Sequence, residues 1–449
     1  MTVTDAVRGS LARIALGAPA RVFSIIGPDA PASVDYLRIA DGIALLDSPR
    51  SANMLLVGGS LPEALHEAAA RVHDQMSHPR AVAWCTGAPG PPDGASLFAD
   101  ALFIGASDDL PLALRRLQQE LVSGRRTSSA AMLPDVEPAP WRGVGPYGQG
   151  GKGMTGGVPY GRPLADRAED RDGLMLDQLP VRVGPFFTPF PHGLVLEVLL
   201  QGDLVQHVTV VANRFAGTAA ARDPERDPFQ LALSKQIPVA AIERARAQHH
   251  LRWLAHALRV HGLSALGRRA LELAAMLARD GDSSRAVHAV TSLARLLERT
   301  RALDWATSSV GVTPHASVAR QGLGTVARAA GVADDARLEE PAYRALGFEP
   351  VIQRESHGDA RARWRQRLAE VVQSLGLATR AGDRQAWGAG VVEDPRGRLT
   401  AIDSPSATLL SLVPDLLRDQ QWGDAVTTVV SLDLGLASAV HGAAAGTPA

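Results

Sequence analysis

The chain is nearly without cysteine. A single thiol in 449 residues, Cys85, excludes an intrachain disulfide and falls far short of the four thiolates that hold a common iron–sulfur cluster. Aromatic residues are scarce at 4%, which disfavours base-stacking surfaces. The net charge of −1 leaves no electrostatic footprint for a phosphate backbone, so no nucleic-acid partner is expected. No apolar run reaches the ~18 residues that would span a membrane. The opening MTVTDAVRGSLARIAL lacks the charged leader, long apolar core and cleavage site of a secretory peptide, and a cytoplasmic location is the expectation.

Glycine, by contrast, is concentrated. Residues 141–163 read WRGVGPYGQGGKGMTGGVPYGRP. A phosphate-binding loop needs G-x-x-x-x-G-K-[ST], but Pro146 stands where the first glycine belongs and Gly153 follows Lys152 where a hydroxyl is required. The stretch is read as a junction between domains, since Gly and Pro cluster where few contacts cross. Its Trp141, Tyr147, Met154 and Tyr160 suggest an ordered segment packed on a surface rather than a plain linker.

Before the junction, RVFSII (21–26), NMLLVG (53–58), RAVAW (80–84) and ADALFIG (99–105) are short apolar runs bounded by turn residues. They alternate with the helical patterns LPEALHEAAARVHDQM (61–76) and LPLALRRLQQELVSG (110–124). Such alternation predicts βαβ units and a parallel sheet, with ligands at the carboxyl ends of the strands. After the junction, LVLEVLLQGDLVQHVTVV alternates around Gly202-Asp203 as a hairpin. Helical periodicity follows over 237–262, 263–281, 283–311 and 357–381.

The order of segments resembles two known subunits in succession. Over about 20–123, Ser48, Pro49, Arg50, Ala52, Gly59, Asp74, Gln75, Met76, Pro79 and Arg80 fall on the pattern of the small, cluster-bearing B-type subunit of respiratory complex I and of group 4 [NiFe] hydrogenases. Over about 180–440 the chain looks like the large D-type subunit of the same families. VGPFFTPFPHG, IERARAQHHLRWL, GLGTVARAAGVADDARLEEPAY, GDARARWRQRLAEVVQSL, VVEDPRGRL and PDLLRDQQWGDAVTTVVSLDLG follow its motifs in order, with Arg398 in place of a final glutamate. The resemblance implies an α/β N-terminal domain with a flavodoxin-like parallel sheet (1–125). A Gly/Pro-rich segment (126–179) and an α+β, mainly helical domain like the hydrogenase large subunit (180–449) follow.

It also implies which chemistry is missing. The first strand-end loop, GPDAP (27–31), has no cysteine, and the last, GASDD (105–109), has Ala106 and Ser107 where the family has cysteine and proline. Aligning Pro79-Arg80 puts Ala88, not Cys85, at a ligand position, so Cys85 is read as a buried structural thiol. SLDLGLASA (431–439) replaces the terminal cysteine pair of the hydrogenases. The iron–sulfur cluster and the NiFe centre are expected to be absent.

In the family the same cavity takes a quinone head group, and quinone is kept as a candidate ligand. The candidate cavity residues carried over are His192, Arg328, Asp335, Arg337, Asp359, Arg363, Arg367, Glu370, Glu393 and Arg396. The tyrosine that partners the histidine in the family has no counterpart in 218–241. A histidine in a Pro/Gly turn is more often a solvated or hydrogen-bonded loop residue than a ligand, and His192 is read so first. His249, His250 and His256 are read as packing or solvated groups rather than metal ligands. The arginines of 359–367 are most simply a solvated helix face, with the family's buried charge network as the alternative.

Three functional readings follow. The first is a degenerate, peripheral module on the inner face of the cell membrane. It would dock on an antiporter-like or complex I-like membrane subunit of an ion-translocating or respiratory complex. The second is a quinone-binding NADH-quinone oxidoreductase-type module fed by another subunit, and the third a soluble regulatory or assembly protein.

Overall fold

A computed structural model describes residues 15–86, 92, 94–105, 107–134, 165–169, 172–216, 227–280, 283–354, 357–387, 390–400 and 404–436. The Gly-rich stretch 141–163, with its proposed packing through Trp141, Tyr147, Met154 and Tyr160, lies outside the described residues.

The N-terminal part is a five-stranded parallel sheet of strands β1 (Ala20–Ile26), β2 (Ile43–Leu45), β3 (Met54–Gly58), β4 (Ala81–Cys85) and β5 (Leu102–Ile104). Their order, β2-β1-β3-β4-β5, is the flavodoxin-type doubly wound order. Every residue of β3 and β4 is buried, which is why both read as continuous apolar runs rather than alternating ones. The sequence reading passed over β2, a half-buried edge strand of three residues that is too short for a periodic signal.

Helix α1 (His66–Asp74) follows β3, and helix α2 (Leu110–Val122) follows β5. Asp109 caps α2 by accepting from the Leu112 N–H at 2.9 Å, and Pro111 occupies its first turn. Leu110, Leu114, Leu117 and Leu121 lie along one face of α2 and pack on one side of the sheet with Met54, Leu56, Ala83 and Cys85. Burial pushes the Cys85 thiol above its ordinary range, which leaves it an inert core group.

The C-terminal part opens with an antiparallel sheet of β6 (Arg167–Glu169), β7 (Met175–Val183), β8 (Leu194–Gln201) and β9 (Leu204–Asn213), paired in chain order. Gln201 pairs with Leu204 across a two-residue turn in which Gly202 has φ +62°, a conformation that favours glycine. Four long helices follow: α3 (Val239–Val260), α4 (Ser264–Asp280), α5 (Ser283–Thr300) and, after a short helix α6 (Gly324–Ala329), α7 (Ala360–Arg380). The single helix expected over 283–311 is two. Arg301 takes a left-handed φ of 51° after α5, and a separate short helix begins at Ala302. The hairpin of β10 (Val391–Asp394) and β11 (Gly397–Thr400) and the helices α8 (Pro405–Leu417) and α9 (Trp422–Leu432) complete the described fold. Trp253 on α3 packs edge-on against Trp364 on α7 at 4.9 Å and donates its indole N–H to the Val430 carbonyl at 2.9 Å.

The second face of the parallel sheet belongs to a core shared with the rest of the chain. Phe23, Ile25, Val57 and Trp84 join one contiguous apolar cluster with Leu194 and Leu196 of β8, Val413 of α8 and Val429 of α9. Polar ties reinforce it: Ile26 N donates to His192 Nδ1 at 2.9 Å, and Arg259 of α3 pairs with Asp47 at 2.6 Å. A continuous core of this kind holds two segments together without a peptide link. A protease site engineered into 141–163 and cut is therefore expected to leave two fragments that co-elute on gel filtration in native buffer. Separate elution would show that the shared core is too small.

Candidate functional site: a buried charge network

Two glycines bring the site together. Helix α6 starts at Gly324, φ +49°, where an added Cβ would lie 2.5 Å from the Gly397 Cα. This backbone-to-backbone approach sets α6 against the β10–β11 hairpin. The hairpin's own turn is closed by Asp394, whose Oδ1 accepts from Arg396 N at 2.7 Å and from Gly397 N at 2.8 Å. Arg328, at the end of α6, is thereby delivered to Glu393 of β10.

Arg328 is fully buried and serves three carboxylates. Its Nε donates to Glu370 Oε1 at 2.8 Å, and its Nη1 meets Glu393 Oε1 at 2.7 Å and Asp335 Oδ2 at 3.0 Å. Asp335 in turn grips Arg337 bidentately, Nη2 to Oδ2 at 2.8 Å and Nε to Oδ1 at 3.0 Å. Arg337 stacks over Phe348 at 4.4 Å and reaches Glu243 of α3 at 3.3 Å. Tyr343 donates its hydroxyl to Glu243 at 2.7 Å, and Arg246, one turn along α3, lies 3.3 Å from the same carboxylate. Glu370 also accepts from Thr325 Oγ1 at 2.9 Å and Gln366 Nε2 at 2.7 Å, with His250 Nε2 3.0 Å away.

The carboxylates do not share this environment equally. Burial would raise Glu370 and Glu243, but the guanidiniums against them hold both below the usual range, Glu370 well below. Glu393 is instead pushed up to about 7, by burial and by the charge of Asp335, with Arg328 opposing.

A second centre forms around Asp433, whose backbone is left-handed at φ 58°. It accepts from His249 Nε2 at 2.7 Å and Arg396 Nη2 at 3.1 Å, and lies 3.4 Å from Arg367 Nη1. Burial opposes its charge, yet Arg396, His249 and Arg367 hold the carboxyl far below its ordinary range. Burial pulls His249 down to about 3, so a neutral imidazole donates to an ionised Asp433. Arg367 lies over the Trp253 ring at 4.5 Å.

The expectation of a solvated arginine face on α7 is corrected by the helix register. Arg363 and Arg367 are fully buried on the face that continues to Glu370 and Ser374, while Arg361 and Arg365 point outward and pair with Asp304. Arg363 rests on oxygens without full charge: Ser431 Oγ at 2.9 Å and the Gly311 and Gly358 carbonyls at 2.9 and 2.6 Å.

Of the candidate residues, Arg328, Asp335, Arg337, Glu370 and Glu393 are drawn into one cluster, and Arg367 and Arg396 into the second. Asp359 stands apart as the N-cap of α7, accepting from Ala362 N and from Ser309 N, each at 2.8 Å. His192 also stands apart, at the end of β1, with its ring edge-on to Phe186. It is a hydrogen-bonded, partly buried loop residue, and burial, with His256 and Arg38 nearby, takes it down to about 4. Glu243, Arg246, His250, Tyr343 and Asp433 were not singled out as site residues. The first three, at i, i+3 and i+7, sit on the buried face of α3 among Ile242, Ala247 and Leu251. A break of that kind in an apolar stripe was the available signal.

Among the described residues neither metal group of the resembling subunits finds a donor set. At the ends of the parallel strands, Asp29 is occupied by Ser60 N and Oγ at 2.6 and 2.7 Å, and Gly105 N by Asp108 at 2.8 Å. The sole thiol is buried. After Asp433, Leu434 and Leu436 are buried in the core and Gly435 N donates to Ser406 Oγ at 3.0 Å. Among the described residues no three His, Cys, Asp or Glu side chains are grouped to hold a metal ion. His249 is committed to Asp433, and His256 lies 3.0 Å from the Pro189 carbonyl.

With this geometry in hand, comparison with known proteins is informative about its centre. Residues 283–401, which contain Arg328, Asp335, Arg337, Arg363, Glu370 and Glu393, match the family described as respiratory-chain NADH dehydrogenase, 49 Kd subunit. Among solved structures, the chain is similar to one from the membrane-bound sulfane sulfur reductase, an archaeal respiratory membrane complex. The likeness has a TM-score of 0.46 and 17% identity, and covers 59% of this chain and 99% of that one. No curated protein matches in sequence.

Two measurements test the network. Arg328→Met would leave three buried carboxylates short of a cation and is expected to cost about 3–5 kcal/mol. Arg398→Ala, which breaks a more exposed pair with Glu339, is expected to change stability by no more than ~1 kcal/mol. Urea titrations of both variants decide it. The histidines add a pH dependence. His192 and His256 are each pushed down to about 4 and His249 to about 3, so they stay neutral in the fold while the unfolded chain takes up protons near ~6.5. Their contribution is present above ~6.5 and is lost as pH falls towards about 4. The raised Glu393 has the opposite sign but is one group against three. The urea midpoint is expected to be lower at mildly acidic pH than above neutrality, with a smaller difference in His256→Gln.

Proposed function

We propose that the chain is a cofactor-free, complex I-like peripheral module. A small-subunit-like half (1–125) and a large-subunit-like half (180–449), joined through 126–179, would dock together on an antiporter-like membrane subunit at the inner face of the cell membrane. The observation that carries this reading is the contrast around Asp433. The arginine–carboxylate network is complete, while in SLDLGLASA the two cysteine positions of the hydrogenases fall on Gly435, whose N–H donates to Ser406 Oγ, and on Ser438. A scaffold stripped of redox ligands yet rich in buried charge suits electrostatic coupling better than electron transfer.

Other observations support the peripheral setting. Among the described residues no helix is long and apolar enough to cross a membrane. Leu174, Met175, Leu176 and Leu179, on and beside β7, are exposed, which is unusual for so many large apolar side chains in one short stretch. Quinone binding is the second reading. His192 Nδ1 accepts from Ile26 N, so the proton resides on Nε2 and is a donor for a ligand carbonyl. The two grooves nearest to pockets, about 520 Å³ beside Arg244 and Arg279 and about 320 Å³ beside Phe187 and Trp422, are not lined by His192.

Purification from native membranes in mild detergent tests the proposal. A colourless preparation that carries an antiporter-like membrane subunit, identified by mass spectrometry, is expected. Recovery as a soluble monomer would overturn it, and an iron-dependent visible spectrum from the isolated chain would overturn the cofactor-free part.

A further inference from the structure

We propose that the Asp335–Glu393 pair binds one exchangeable proton, held on Glu393, so that the buried network gains and loses a single charge. The proton site exists on this chain's own geometry; only its use in coupling rests on the function proposed above.

The carboxylates around Arg328 are unequally paired. Asp335 Oδ2 and Glu393 Oε1 both approach the same nitrogen, Arg328 Nη1, at 3.0 and 2.7 Å. Arg328 Nε is already committed to Glu370 at 2.8 Å. One guanidinium cannot neutralise three carboxylates, so the remaining cations decide where charge is tolerated. Asp335 has a second, bidentate partner in Arg337. Glu370 has His250, Thr325 and Gln366 around it. Among the described residues Glu393 has no second ion-pair partner: its other oxygen accepts the Ala336 N–H, at 3.0 Å. Arg246 spends its Nη2 on the Glu393 backbone carbonyl, at 2.5 Å, and Arg337 spends its Nη1 on Glu243.

The other charges facing Glu393 do not alter this. Asp394, its neighbour on β10, adds negative charge and is itself raised by burial. Arg398, opposite Glu393 across the hairpin, is drawn out to Glu339 at 2.9 Å. Arg396 is taken up by Asp433. Two like charges on one cation in a sealed site cannot both stay ionised as pH falls to neutrality, and the first proton goes to the less compensated group. Burial and Asp335 together place that event at about 7.

The uptake is read directly by infrared difference spectroscopy on the full chain, titrated from mildly acidic to mildly alkaline pH. An un-ionised carboxyl carbonyl band is expected to disappear with a midpoint near neutrality, to shift on deuterium exchange, and to be missing from Glu393→Gln. Asp335→Asn removes the repelling charge without removing Glu393, and is expected to move the midpoint to lower pH by a unit or more; it also serves if Glu393→Gln fails to fold. Glu339→Gln, an exposed carboxyl in the same region, is expected to leave the band unchanged. Absence of a titrating carboxyl band in the wild-type chain, its persistence in Glu393→Gln, or an unmoved midpoint in Asp335→Asn would each overturn the proposal. Failure to recover a membrane partner leaves this result intact, and failure of the titration leaves docking intact.

Discussion

A guanidinium with no access to water, facing three carboxylates, organises the C-terminal half of this protein. Arg328 lies where the short helix α6, the Asp335–Arg337 turn, the β10–β11 hairpin and helix α7 converge. Desolvation makes an isolated charge there untenable, so each element must present its partner in register or the whole site becomes unfavourable. The apolar core supplies much of the driving force for collapse, but it is indifferent to small slips of one helix along another. The charge network is not, because a slip would strand a buried ion. This is the sense in which the network specifies the packing of α3 against α7 (Glu370 to His250) and against the end of α9 (Asp433 to His249) more strictly than the leucines around it.

The two clusters also differ in kind. Around Asp433 one carboxylate is met by two arginines and a neutral histidine, and its charge is secure. Around Arg328 the balance is reversed, with carboxylates competing for cations. An excess of cation in one place and of carboxylate in the other, joined through α3 and α7, gives the interior a polarity that apolar packing alone would not produce.

Much of the fold could be read from periodicity. Continuous runs such as MLLVG announced central parallel strands because both their faces are covered, and QGDL announced its hairpin because Gly202 must be left-handed. The edge strand at Ile43–Leu45 could not be read so, since three half-buried residues have no period. The break at Arg301 was hidden for a different reason: a non-glycine residue adopts φ 51° there, a choice made by tertiary packing and not by local preference. At the site, motif order found Arg328, Asp335, Arg337, Glu370 and Glu393. Composition misjudged the face of α7, because arginines at alternate positions point to opposite sides of a helix and composition cannot say which side is buried; the buried network was the alternative the resemblance kept. Only the partners on α3, invisible until the helices are packed, decide between Arg363 and Arg361.

The continuous core beneath the parallel sheet carries a consequence for assembly. In a complex built from separate chains, two parts that pack together must be made in matched amounts and can dissociate, exchange or assemble with the wrong copy. Here Phe23, Val57 and Trp84 are packed in the same cluster as Leu194, Val413 and Val429 of the same polypeptide. Stoichiometry is fixed at translation, and neither part is left with its apolar face exposed while waiting for the other.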